Sequence, residues 1–63
     1  MKKLKAIRIQ KGLTLQKLSV KSSVAIGYIA DLENGKASNP SLNTLRKLAT
    51  ALEIELTDLL DTA

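Results

Sequence analysis

Apolar residues recur at helical spacing in the middle of the chain, on both sides of a short polar break. Leu15 and Leu18 lie three residues apart and therefore share one face of a helix. Lys21-Ser22-Ser23 interrupts the pattern, and Asn34-Gly35 then supplies a pair that tolerates positive φ at a helix end. The helix that follows the break takes its apolar positions from three residues between these signals, Val24, Ile29 and Leu32. Two short helices around a tight turn predict a helix-turn-helix.

Turn and capping signals divide the rest of the chain into three further helices. Gly12 ends the first helix in the left-handed region. Thr14 is the expected N-cap of the second helix, with its side-chain oxygen on the backbone N–H of Gln16 or Lys17. Ser41 is the expected N-cap of the fourth, after a loop at 35–40 that Gly and Pro bracket. The predicted helices cover about 3–11, 15–21, 26–33, 42–52 and 56–60, with frayed residues at 61–63.

The leucine pattern predicts an all-α fold, a compact five-helix bundle in a single domain. With 63 residues, the chain can bury only one small core, so its stability should be modest. One face of the fourth helix carries an apolar stripe, Leu42, Leu45, Leu48, Ala49 and Leu52. The residues most strongly expected in the core are Leu18, Ile29, Leu32, Leu45, Leu48 and Leu52.

The composition removes most catalytic and metal chemistry. The chain has no Cys and no His, so disulfides, the usual metal ligands and the commonest general base are missing. We therefore expect no enzyme activity, no catalytic residue, no metal site and no cofactor. Apolar runs are far shorter than the roughly 20 residues of a membrane span. Lys5 and Arg8 also interrupt the segment where a secretory signal would be apolar, so we expect a cytoplasmic protein without membrane contact.

The charges are divided unevenly between the two halves of the chain. Residues 1–30 hold seven basic residues and no acidic one, whereas residues 31–63 hold three basic and six acidic residues. A half of the chain that carries only positive charges can attract a polyanion. DNA is the polyanion that the fold suggests, because a helix-turn-helix places the helix after its turn in the major groove. A solvated basic face without a partner has the same composition, and charge alone does not separate the two interpretations. In particular, Lys17 and Lys21 are either a solvated helix face or contacts to phosphates.

The order of motifs resembles the xenobiotic-response-element (XRE) class of helix-turn-helix domains, which includes the λ and 434 phage repressors and Cro. The resemblance covers residues 4–60 and rests on R-I-Q-K-G-L-T, L-x-x-L, V-A-x-x-Y-I, L-E-N-G-K, N-P-S-L-x-x-L-x-x-L-A-x-A-L and L-L. The combination of E-N-G-K and N-P-S-L at this spacing is specific. More loosely, the chain is similar to sporulation and biofilm repressors of this class.

This resemblance implies a phage-repressor-type bundle that binds an inverted-repeat operator as a dimer, with the third helix in the major groove of double-stranded DNA. It implies a structural ion pair between Arg8 and Glu33, which we expect to be part-exposed and to contribute about 0.3–1 kcal/mol. The positions that would face bases are Ala25, Ile26, Gly27, Tyr28 and Asp31. The residues expected at phosphates, with Lys17 added from its charge, are Thr14, Gln16, Lys17, Lys36, Ser38, Asn39, Ser41 and Asn43.

Three positions depart from the class pattern. Leu15 stands where a phosphate-binding Gln is frequent, Ser23 stands at the turn Gly, and Glu53 stands where Gly would end the fourth helix. Ser23 must therefore adopt the left-handed region or tilt the turn.

The base-facing positions also lack the Arg, Lys, Asn and Gln that make bidentate contacts to bases. Ala25 and Ile26 offer only apolar contact, for example with a thymine methyl group, and Gly27 offers close backbone approach. Tyr28 can donate one hydrogen bond, and Asp31 either accepts one from cytosine N4 or repels phosphates.

Two functions remain open at this point. The first is a transcriptional regulator, a repressor that binds DNA as a dimer. The alternative is a protein-interaction module of the same fold, with weak or lost DNA binding, that contacts a partner through Ile26 and Tyr28. A dimer would use Leu56, Leu59 and the loop before them, and this small area predicts a weak homodimer in the absence of DNA.

Overall fold

The computed structural model describes residues 1–60, which form five helices and no strand. Every helix begins and ends within one residue of its predicted bounds, and the all-α five-helix fold is confirmed. The predicted fraying at 61–63 lies outside the described residues. In chain order the helices are α1 Lys2–Gln10, α2 Leu15–Ser22, α3 Ile26–Asn34, α4 Leu42–Leu52 and α5 Leu56–Leu59.

Both predicted N-caps are present and explain where α2 and α4 begin. The Lys17 backbone N–H donates to Thr14 Oγ1 at 3.1 Å, and the Thr44 backbone N–H donates to Ser41 Oγ at the same distance. Each bond satisfies one of the amides that a helix start leaves without an internal partner. By contrast, α3 begins after Ala25, whose side chain makes no cap hydrogen bond.

Left-handed residues terminate four of the five helices. Gly12 and Gly35 adopt φ of +72° and +79°, which glycine does without a Cβ clash. Ser23 and Glu53 adopt φ of +60° and +58° and carry a Cβ into the same region. Ser23 therefore meets the expectation of a left-handed turn. Asn39 in the loop before α4 also has a positive φ, of +55°, which the sequence had not indicated.

The core lies where α2 packs against α3 and α4, and where α1 and α5 close the other side. None of the helices in residues 1–60 has the length and apolar character that a membrane span requires. The buried apolar side chains are Leu4, Leu18, Val24, Ile29, Leu32, Leu48, Ala49, Leu52 and Leu59.

Several apolar positions differ from their predicted places. Leu45 is only half-buried, and Leu42 is 53% exposed because it lies in the first turn of α4, ahead of the part of that helix that enters the core. Val24 is buried in the turn before α3 and is not part of that helix. Leu59 is fully buried, so its assignment to a dimer surface is wrong. Because α5 is one short turn packed against α4 and α1, its inward leucine completes the core.

We predict that Ser23→Gly and Glu53→Gly each raise the free energy of unfolding by about 0.4–1 kcal/mol, since glycine removes the Cβ strain at positive φ. Denaturant unfolding of both variants measures the change. Lys11→Gly is the control, because Lys11 has φ of −80° and glycine there only adds flexibility. Stabilities equal to or below that of the unmodified chain would show that the left-handed residues are not strained.

Candidate nucleic-acid interface

A small network of serine hydrogen bonds fixes the turn between α2 and α3. Ser19 Oγ donates to the Val24 carbonyl at 2.6 Å, and the Val24 backbone N–H donates to Ser22 Oγ at 3.2 Å. Ser22 is buried, and Val24 itself lies in the core. These bonds set the direction in which α3 leaves the turn. These bonds were not predicted from the sequence, although the run of hydroxyl residues around a helix end was a visible signal.

The buried and exposed faces of α3 are cleanly separated. Ile29 and Leu32 are completely buried and hold one side of the helix in the core. At about 100° per residue, the direction opposite these two passes through Gly27, with Ile26 on one flank and Asp31 on the other. All three of these residues are exposed. The outer face of α3, which we define as Ile26, Gly27, Ala30 and Asp31, is therefore free of contact with the rest of the bundle along most of its width.

The five predicted base-facing residues do not share one environment. Ala25, Ile26, Gly27 and Asp31 are exposed together at the start and along the outer face of α3. Tyr28 is half-buried and packs against the core cluster. Tyr28 therefore lies on the flank of the helix, where part of its ring is used for packing.

The predicted phosphate residues lie in two exposed segments. Thr14, Gln16 and Lys17 are exposed at the start of α2. The loop between α3 and α4 exposes Lys36, Ser38, Asn39 and Ser41, and Asn43 is exposed in the first turn of α4. This loop is tied to α3, because the backbone N–H groups of Lys36 and Ala37 both donate to the Asp31 carbonyl, at 2.9 and 3.1 Å.

A bidentate ion pair joins α1 to the end of α3. Arg8 Nε lies 2.7 Å from Glu33 Oε2, and Arg8 Nη2 lies 3.1 Å from Glu33 Oε1. A third guanidinium nitrogen, Nη1, donates to the Leu13 carbonyl at 2.8 Å. The side chains are only 11% and 4% exposed, so the pair is more enclosed than the sequence led us to expect. Removal of one partner of a buried pair costs about 3–5 kcal/mol of folding stability, because the remaining charge is left without compensation.

Among residues 1–60, no cluster of side chains is suited to hold a metal ion. The sequence model that describes the helix-turn-helix family matches residues 4–59. The chain belongs to the helix-turn-helix family. Its relatives place it in the XRE class, as the motifs had indicated.

The curated relatives of this helix-turn-helix chain are named as regulators and repressors. It is 41% identical over 54 residues to the HTH-type transcriptional regulator SlrR of Bacillus subtilis, covering 86% of the chain and 36% of SlrR. It is 34% identical over 59 residues to SinR of the same organism, covering 94% and 53%. It is 41% identical over 54 residues to the immunity repressor protein of Bacillus phage phi105, covering 86% and 37%. The chain thus spans about a third to a half of the length of these relatives. No solved structure matches it significantly.

We predict that Arg8→Met lowers the free energy of unfolding of this helix-turn-helix chain by about 3–5 kcal/mol, because it leaves the buried Glu33 carboxylate without its partner. A double-mutant cycle with Glu33→Gln isolates the pair, and we expect a coupling of about 1–3 kcal/mol. Lys5→Met, at an exposed position of the same helix, is the control and should change stability by no more than about 0.5 kcal/mol. Coupling near zero would contradict the role assigned to the pair.

Proposed function

We propose that this chain is a DNA-binding transcriptional regulator, with the outer face of α3 in the major groove of double-stranded DNA. The start of α2 and the α3–α4 loop would hold the backbone phosphates. The observation that carries the proposal is the exposed outer face of α3, on a helix whose other face is fixed by the core and by the Arg8–Glu33 pair. A recognition helix must be rigidly oriented and yet uncovered. The names of the relatives as transcriptional regulators support the same function.

The charge distribution supports contact with phosphates. Residues 1–30, which include all of α2, contain no acidic side chain. Lys17 and Lys21 are exposed on α2, and Lys36 is exposed in the loop that is bound to the end of α3. Lysines beside a recognition helix neutralise phosphates and release counterions, which supplies sequence-independent affinity.

We further propose that the protein acts as a repressor and binds two half-sites of an inverted repeat as a dimer. One copy measures 28 × 22 × 20 Å, which suits a single half-site, since half-sites are about 34 Å apart along the duplex. Because Leu59 is buried, the apolar surface left near α5 is small, with Leu56 half-buried and Leu60 at the edge of exposure. So small an area predicts association of two copies on DNA and a weak dimer without it.

One observation favours the alternative, a protein-interaction module. Ile26 is 42% exposed on the outer face of α3, and the first two turns of this face carry no side chain that makes a bidentate contact with a base. An apolar residue in this position could contact a protein partner instead. The two functions differ in their response to salt, because only phosphate contacts release counterions.

Binding to a random-sequence duplex over a range of salt concentrations tests the proposal. We expect measurable binding at low salt, with a logarithm of the binding constant that falls linearly against the logarithm of salt concentration. Each phosphate contact contributes a slope of about −0.9, so several contacts should be visible. Absence of binding at low salt would contradict DNA binding and favour the interaction module.

We predict that Lys36→Ala weakens binding to all duplexes by a similar factor and reduces the salt slope by about one, because Lys36 would contact a phosphate. Lys47→Ala removes an exposed lysine of α4 outside the proposed contacts and serves as the matched control. If Lys36→Ala weakens binding only to the preferred sequence, Lys36 reads bases and its phosphate assignment is wrong.

A further inference from the structure

The first half of the outer face of α3 presents almost no polar side chain. Ile26 and Ala30 lie one turn apart on the same side of the helix, and Gly27 lies at the centre of the exposed arc. Ile26 and Gly27 are exposed, and Ala30 is partly exposed. The first charged side chain along this face is that of Asp31. The part of the outer face before Asp31 is therefore narrow, apolar and shallow.

Nothing in the packing of the bundle requires glycine at position 27. It lies inside α3, its φ is not in the left-handed region, and an added Cβ would meet no atom within 4 Å. A helix with glycine in its interior is less stable than the same helix with alanine. Gly27 therefore lowers the stability of α3 at a position where a larger side chain would fit. The absence of a Cβ at this position allows another molecule to come close to the helix backbone. It therefore has an effect only when such a molecule binds.

The chemistry of the major groove identifies what such a surface can distinguish. Hydrogen-bond donors and acceptors of the bases require polar side chains, which this part of the face lacks. The C5-methyl group of thymine is the one apolar feature of base edges in that groove, and aliphatic side chains contact it. Ile26 retains 42% of its surface exposed, which is available for burial against a methyl group.

We propose that α3 reads thymine methyl groups, with Ile26 and Ala30 in apolar contact and Gly27 allowing the helix to approach the base edges closely. The inference rests on the proposed function, since it requires α3 to lie in the major groove. The preferred DNA would then carry thymine at the positions opposite the first two turns of α3.

Replacement of thymine by deoxyuridine in the preferred duplex tests the inference, because it removes only the methyl group. The preferred duplex is first selected from a random pool, and each thymine is then replaced in turn. We expect replacement at contacted positions to weaken binding about fourfold per methyl group. Replacement at thymines outside the contacted positions should have no effect and provides the control within the same duplex.

Ile26→Ala identifies the protein side of the contact. In this variant, we expect the deoxyuridine effect to disappear at the position that Ile26 contacts, while the salt slope is unchanged. Ile9→Ala is the matched control, since Ile9 is 58% exposed on α1, outside the proposed interface, and should leave the deoxyuridine effect intact. Both positions are exposed, so the variants should fold, and thermal unfolding verifies this.

The outcomes separate the inference from the proposed function. Salt-dependent duplex binding with equal affinity for thymine and deoxyuridine at every position would overturn thymine reading and leave DNA binding in place. An unchanged deoxyuridine effect in Ile26→Ala would overturn the assignment of the contact. Failure of the unmodified chain to bind any duplex at low salt would overturn the proposed function itself.

We predict that Gly27→Ala raises the melting temperature and at the same time weakens binding to the preferred duplex. The first effect follows from the higher helix propensity of alanine, and the second from the Cβ at the centre of the contact surface. Thermal unfolding and duplex affinity are measured on the same preparation. An alanine variant that is more stable and binds equally well would show that the helix backbone does not approach the bases closely.

Discussion

The buried ion pair between Arg8 and Glu33 is the contact on which the orientation of α3 depends most. It joins the first helix to the last turn of the third, and the same guanidinium also binds the Leu13 carbonyl ahead of α2. One side chain thus fixes α1, the start of the helix-turn-helix and the end of α3 together. At the opposite end of α3, the Ser19 and Ser22 hydrogen bonds to Val24 hold the turn. A helix held at both ends keeps a constant angle to the bundle, which recognition of a groove requires.

Three features of the same helix lower its local stability. Ser23 carries a Cβ into the left-handed region just before it, Ala25 gives it no side-chain cap, and Gly27 lowers its helix propensity. The helices α2 and α4, by contrast, have hydroxyl caps with good geometry. Conflict between local preference and fold is expected at functional sites. The three features at α3 agree with the proposed interface.

The sequence predicted the helices well because their ends are encoded locally. Thr14 and Ser41 can cap only a following helix, and Gly12 and Gly35 end a preceding one. Burial was harder to predict, because helical periodicity identifies a face and does not show how far along the helix the core extends. Leu42 and Leu48 share the apolar stripe of α4, yet only Leu48 is covered by neighbouring helices. The burial of Leu59 likewise depends on how α5 packs, which spacing alone does not give.

The sequence predicted where the third helix lies more reliably than it predicted how each of its side chains packs. The motifs placed the third helix and its exposed residues correctly, but whether Tyr28 is exposed depends on tertiary packing. The most direct test of the account is the change in backbone amide NMR shifts when a duplex is added. We predict that the largest changes fall at 14–17, 25–31 and 36–43, with small changes in α5. Changes centred on α5, or absent from 25–31, would contradict the claim that α3 is the DNA-binding surface.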